Sequence, residues 1–113
     1  MPNIQIYYYK RGFDVQKAER YFRERKVAYS VVDLHKHTPG RREIQSIAAQ
    51  VGLQNMIDTS AKEYASSAIR MLTGANAIVD ALIREPHLLK TPIVRNQSKA
   101  TVGYCPECWD TWL

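Results

Sequence analysis

Cys105-Pro106-Glu107-Cys108 is the segment of this chain best equipped for chemistry. Two thiols separated by two residues can open and close a disulfide between themselves. A proline after the first cysteine suits the opening of a helix, where free N–H groups favour the first sulfur as its thiolate. The chemistry predicted is thiol–disulfide exchange, with Cys105 attacking and Cys108 resolving. The plainer reading makes both cysteines small, half-buried packing residues beside Trp109 and Trp112. A CxxC that follows the last strand is out of its usual context, and on sequence alone the plainer reading is preferred. Zinc is a third use, because two thiols with His35 and His37 would complete a tetrahedral set. His87, a lone imidazole after Pro86, carries no site signal.

A second candidate is Lys10-Arg11-Gly12, a basic loop between a strand and a helix. Such a loop aims the first N–H groups of the helix outward, toward an anion or a reactive thiolate. Where that thiolate would stand, the chain has Gly12. Lys10 and Arg11 either hold an anion there or are two exposed basic residues.

Charge narrows the field. Sixteen Lys and Arg against eleven Asp and Glu give a net charge of +5, and the pI is near 9.4. The basic residues are scattered (Arg11, Lys17, Arg25, Arg41, Arg42, Arg70, Arg95), which describes a solvated surface, so no direct contact with nucleic acid is expected. No apolar run approaches the ~20 residues of a membrane span. The first residues, Met1-Pro2-Asn3, lack the features of a secretory signal, and the cytoplasm is the expected compartment. There thiols are kept reduced, so a cysteine pair is more often redox-active or metal-binding than structural.

These residues must be positioned by a small set of elements. At 113 residues the chain reads as a single domain, 1–113, large enough for a core of its own. Ile4, Ile6 and Tyr8 alternate with Gln5 and Tyr7 as in a strand. The spacing of Val15, Ala18 and Phe22 predicts a helix over 14–26, with Asp14 as N-cap and Glu19 paired to Arg23. Val27, Tyr29, Val31 and Val32 predict a second strand over 27–34, parallel to the first. Thr38 and Pro39 fit the N-cap and N1 of a helix that Gly52 ends. A short helical turn is expected over 53–58, a short helix over 61–72, and a firmer one over 75–84 stopped by Pro86.

Residues 90–103 form a hairpin, its first strand opened by Pro92 at a strand start or a cis turn. A last short helix begins at Pro106. In this arrangement the second and fourth strands lie at opposite sheet edges. His35 and His37 then stand too far from Cys105 and Cys108 for one ion, and no metal site is expected.

The order β-α-β, helices, β-β-α describes an α/β, thioredoxin-like (glutaredoxin-like) four-stranded mixed sheet with an all-helical insertion at about 40–86. The sequence also resembles the ArsC/Spx family of arsenate reductases and Spx regulators. The residues that carry the resemblance are 13–22, Ile57-Asp58-Thr59 with Lys62, Leu89-Lys90-Thr91-Pro92-Ile93-Val94-Arg95, and Ala100-Thr101-Val102-Gly103-Tyr104. The resemblance implies that Pro92 is a cis-proline facing the active site.

It also implies a cysteine where this chain has Gly12, and in Spx-type members a second where it has Val15. Arsenate reductases place arginines at the positions of Asp58 and Thr91. All four positions are changed. A cysteine–arsenate adduct needs a thiolate and positive charge around the oxyanion, so arsenate reduction by the family mechanism is not expected.

What remains is an atypical thiol oxidoreductase, served by glutathione or thioredoxin as reductant and by no bound cofactor. The alternative is a non-catalytic regulator. The resemblance implies that Spx-like docking on the RNA polymerase α subunit would use Gly52, although backbone geometry alone explains a glycine that ends a helix.

Overall fold

A computed structural model describes residues 3–113. Strand β1 (Ile4–Tyr8) is followed by helix α1 (Phe13–Glu24) and strand β2 (Tyr29–Asp33). Helix α2 (Arg41–Val51), several short 3-10 turns and helix α3 (Ala75–Arg84) come next. Strands β3 (Ile93–Asn96) and β4 (Lys99–Val102) and helix α4 (Pro106–Asp110) complete the order. The sheet runs β2-β1-β3-β4, with β1 parallel to β2 and antiparallel to β3. The four-stranded mixed sheet and the helical insertion therefore have the form expected.

β1 is central and packs on both faces. Ile4 and Ile6 join Ala18, Tyr21, Phe22, Val94 and Trp109 in a cluster beneath α1 and α4. Tyr7, only 2% exposed, turns the other way. It packs with Leu34, Ile44, Ile47 and Ile93, together with Ile78 and Leu82 of α3, in a larger cluster. The helical insertion is thus the second layer of the domain core. Burial of each large aliphatic side chain there contributes about 1.5–3 kcal/mol. An ion pair between Arg41 and Asp80 ties α2 to α3 at the surface.

Several local expectations are corrected. α1 begins one residue earlier than predicted, with Gly12 as its N-cap and no side-chain cap, so Asp14 sits inside the first turn. Glu19 does not pair with Arg23; its carboxylate accepts from Arg11 at 2.6 Å and from the Tyr29 hydroxyl at 3.2 Å. Both partners are brought close by the fold, which beats the weak local pair. α2 starts at Arg41 rather than at Pro39. Gly40 is its N-cap, and the Glu43 carboxylate accepts the Gly40 N–H at 3.2 Å. Pro39 is buried instead of opening the helix. The helix expected over 61–72 is two 3-10 turns, Lys62–Ser66 and Ala68–Met71, separated by Ser67 in an extended conformation.

Candidate functional site

β1, β3 and β4 bring both candidate regions to one end of the sheet. Tyr7 pairs with Ile93, and Ile93 with Val102, so the loop at Gly12, the entry to β3 and the exit from β4 share a pole. The Thr91–Pro92 peptide is cis.

At the first region, Lys10, Gly12, Phe13, Asp14, Val15 and Thr91 line a cavity of about 370 Å³. A second, of about 200 Å³, adjoins it through Lys10 and Thr91 and adds Asp58, Lys62, Glu63 and His87. Five of the sequence candidates (Lys10, Gly12, Val15, Asp58 and Thr91) therefore meet here. Arg11 does not join them. Its guanidinium lies 4.7 Å from the Tyr8 ring and is held by Glu19, so the loop offers an anion Lys10 but not Arg11.

Asp58 accepts the Ser60 N–H at 3.0 Å and the Ser60 hydroxyl at 2.6 Å, and its acidic side chain opposes an oxyanion. A Cβ placed on Gly12 would meet nothing within 4 Å. Packing therefore does not require a glycine at this position.

Two further residues belong to this region that the sequence reading passed over or assigned elsewhere. His87 lines the smaller cavity, and Tyr9 beside it stacks on His35 with centroids 3.9 Å apart. His35 is thus held by Tyr9 and by Asp33, and His37 by Glu43 at 3.2 Å. Asp33 is drawn below the usual carboxylate range by the His35 backbone N–H. Glu43 is pushed up by burial, but the Gly40 N–H, the Tyr7 hydroxyl and His37 outweigh that and hold it below its ordinary value. Burial, followed by opposed bonds to Arg95 and Glu43, raises Tyr7. Among the described residues, no group of three or more His, Cys, Asp or Glu is placed to hold a metal ion.

The second region is built around Cys105 and Cys108, which are bonded to each other with Cα atoms 5.5 Å apart. α4 is only five residues long, so its dipole contributes less to a thiolate than the sequence reading assumed. What holds the segment is Trp109. Its ring is fully buried, its Nε1–H donates to the Thr101 hydroxyl at 2.8 Å, and it packs edge-on against Tyr21 at 5.1 Å and Tyr104 at 5.6 Å. The Tyr21 hydroxyl bonds to Asp110, and burial together with that carboxylate pushes it up to about 12.

Both cysteines are half-buried and pack with Trp112 against this cluster. They also line a cavity of about 680 Å³ with Gln50, Gln54, Asn55 and Lys90. Gln50, Gln54 and Asn55 carried no signal in the sequence, since only the packing of α2 and the turn after it against β4 brings them there.

Gly52, the C-cap of α2, follows Val51 of that wall. Its φ of +89° and the 3.2 Å approach of Asn55 Nδ2 to a built Cβ account for a glycine at this position, where its N–H bonds to the Ala48 carbonyl at 2.7 Å.

Comparison with known proteins matches residues 7–112 to the model of the ArsC family. The regulatory protein MgsR of Bacillus subtilis is 22% identical over 107 residues, covering 91% of this chain and 84% of its own length. Among solved structures, an arsenate reductase from Vibrio cholerae superposes with a TM-score of 0.85 at 19% identity, over 99% of this chain and 98% of its own. An ArsC family related protein from Bacteroides fragilis gives 0.84 at 22% identity, over 98% of each chain. These likenesses show the fold, an α/β thioredoxin-like sheet with its helices.

Proposed function

The chain belongs to the ArsC family, and from that premise we propose that it is an atypical thiol oxidoreductase whose reacting sulfurs are Cys105 and Cys108. Gly12 stands where the family's nucleophile would be, and Asp58 and Thr91 stand where its oxyanion-binding arginines would be. The single observation that carries the reading is the Cys105–Cys108 disulfide on the wall of an open cavity. In a reducing compartment such a bond is a working couple more readily than a structural staple.

Reduced Cys105, as its thiolate, attacks one sulfur of a substrate disulfide, forming a mixed disulfide and releasing the other sulfur as a thiolate that takes up a proton. The Cys108 thiolate then attacks Cys105 Sγ and expels the second substrate thiolate. The substrate gains two electrons, and the pair becomes the disulfide seen here. A thiol reductant, glutathione or thioredoxin, returns it to the dithiol. Reduction of a model disulfide should therefore turn over, and Cys105→Ser should abolish it, a loss of at least about a hundredfold for removal of a covalent nucleophile. Undiminished turnover in Cys105→Ser, or none in the parent, refutes this reading.

The likeness to a regulatory protein favours a second reading, a non-catalytic module that docks through the end of α2 around Gly52, with the RNA polymerase α subunit as partner. A titration with the purified C-terminal domain of that polymerase chain tests it. Saturable binding that Gly52→Arg removes, in a variant shown by its melt to stay folded at the assay temperature, supports docking; no binding by the parent refutes it.

A further inference from the structure

β4 is an outer strand, hydrogen-bonded to β3 alone. In an antiparallel pair, hydrogen-bonded positions alternate with unbonded ones. The Gly103 N–H bonded to the Pro92 carbonyl at 2.8 Å fixes that alternation. Counting back along the register, Thr101 bonds to Val94 and Lys99 to Asn96. The N–H and C=O groups of Ala100 and Val102 therefore point away from β3, to the free edge.

Two cavities, of about 680 and 470 Å³, run along that edge and share Gln50, Ala100, Thr101 and Cys108. The end of α2 forms one wall and α4 the other, with Cys108 facing both cavities. Lys90 lies beside the first cavity and Lys99 beside the second, and Glu107 is the one acid opposite them.

We propose that the free edge of β4 is a track for extended polypeptide. A substrate segment whose cysteine is in disulfide linkage pairs with Ala100 and Val102 as a fifth strand and presents its sulfur to Cys105. This rests on the redox reading above and names its substrate class as peptide and protein disulfides. Main-chain hydrogen bonds along an edge supply affinity with little demand on sequence. The amides of Gln50, Gln54 and Asn55 can donate or accept, and the two lysines select acidic residues flanking the cysteine. The outer edge of β2 has the same unpaired backbone but no cysteine beside it, since both of the chain's cysteines are in the β4 groove.

The test uses the full chain carrying Cys108→Ser, which stops the reaction at the mixed disulfide. Its probes are an acidic octapeptide with a central cysteine linked to glutathione, the same peptide N-methylated on alternate backbone nitrogens, and glutathione disulfide alone. Mass spectrometry should find the peptide on Cys105, and the amides of Ala100 and Val102 should become protected from hydrogen exchange. Backbone methylation should slow the adduct about tenfold, the worth of one or two lost hydrogen bonds.

Ala100→Pro, which removes an edge donor and leaves the β3 ladder intact, should slow it about three- to tenfold in a variant shown by its melt to be folded. Equal rates for both peptides without amide protection, while glutathione disulfide still reacts, overturn the track and leave the redox couple standing. No adduct with any of the three probes overturns the redox reading and the track together.

Discussion

The loop at Gly12 and the segment around the Cys105–Cys108 disulfide sit at the same end of the sheet on opposite physical terms. Around Gly12 there is room: a Cβ would touch nothing, Phe13 beside it is 82% exposed, and the adjoining cavities mix Lys10 and Lys62 with Asp14, Asp58 and Glu63. Beneath the disulfide nothing is free. Trp109 is fully buried among Tyr21, Phe22 and Tyr104, and its N–H is committed to Thr101. Apart from Val15, which is buried, the first region can change its side chains at little cost to the fold. The second cannot, because the groove that carries the sulfurs is an extension of the core.

The largest test of that contrast is Trp109→Ala. It empties a large buried site and leaves the Thr101 hydroxyl without its donor, so a loss of about 3–5 kcal/mol is expected in urea unfolding. A loss under about 1 kcal/mol would erase the distinction between the regions.

Gly52→Ala probes the far wall of the same groove. At φ +89° and ψ 132° an alanine is strained and crowds Asn55, so about 1–3 kcal/mol should be lost, read from the same unfolding curves.

Glu43 sharpens the comparison from the other end of α2, where it holds the Tyr7 hydroxyl at 2.9 Å on the strand that feeds the Gly12 loop. Its carboxyl is held below the usual 4.5. Its contribution is therefore complete above that value and is lost as the pH falls through the lowered one. Glu43→Gln should cost about 1 kcal/mol at neutral pH and flatten this acid loss, as measured by melts across pH 3–7 (a span of about four units chosen around the ordinary carboxylate range).

The smallest effect belongs to the open region. Gly12→Cys should shift stability by less than about 0.5 kcal/mol, add one titratable thiol, and give no arsenate reduction, because Asp58 and Thr91 remain.

How much of this was legible follows from how local each signal was. The periodicity of Val15, Ala18 and Phe22 reports a helix face directly, and the helix expected over 75–84 is Ala75–Arg84 to the residue. Runs of β-branched residues around Asn96-Gln97-Ser98-Lys99 mark the hairpin. Boundaries were less secure wherever a distant group decided them. Glu43 reaching back to Gly40 sets the start of α2 against the pull of Thr38-Pro39, and Arg11 takes Glu19 from Arg23.

The Gly12 region was readable because a loop and a helix adjacent in sequence make it. The groove was not. It joins Gln50, Lys90 and Cys108 through the order of β3 and β4 and the packing of α2, and no window of neighbouring residues contains that juxtaposition.

The indole at position 109 has a consequence for how this chain is made. Ile4, Ile6 and Phe22 emerge from synthesis before Trp109, and the ring that seals them arrives about a hundred residues after Ile4; contacts so distant in sequence form late. Until then a greasy cleft on the nascent sheet stays open to whatever meets it. A helper that shields apolar surface during translation should therefore raise the yield of this protein more than it would for a fold closed by neighbours in sequence.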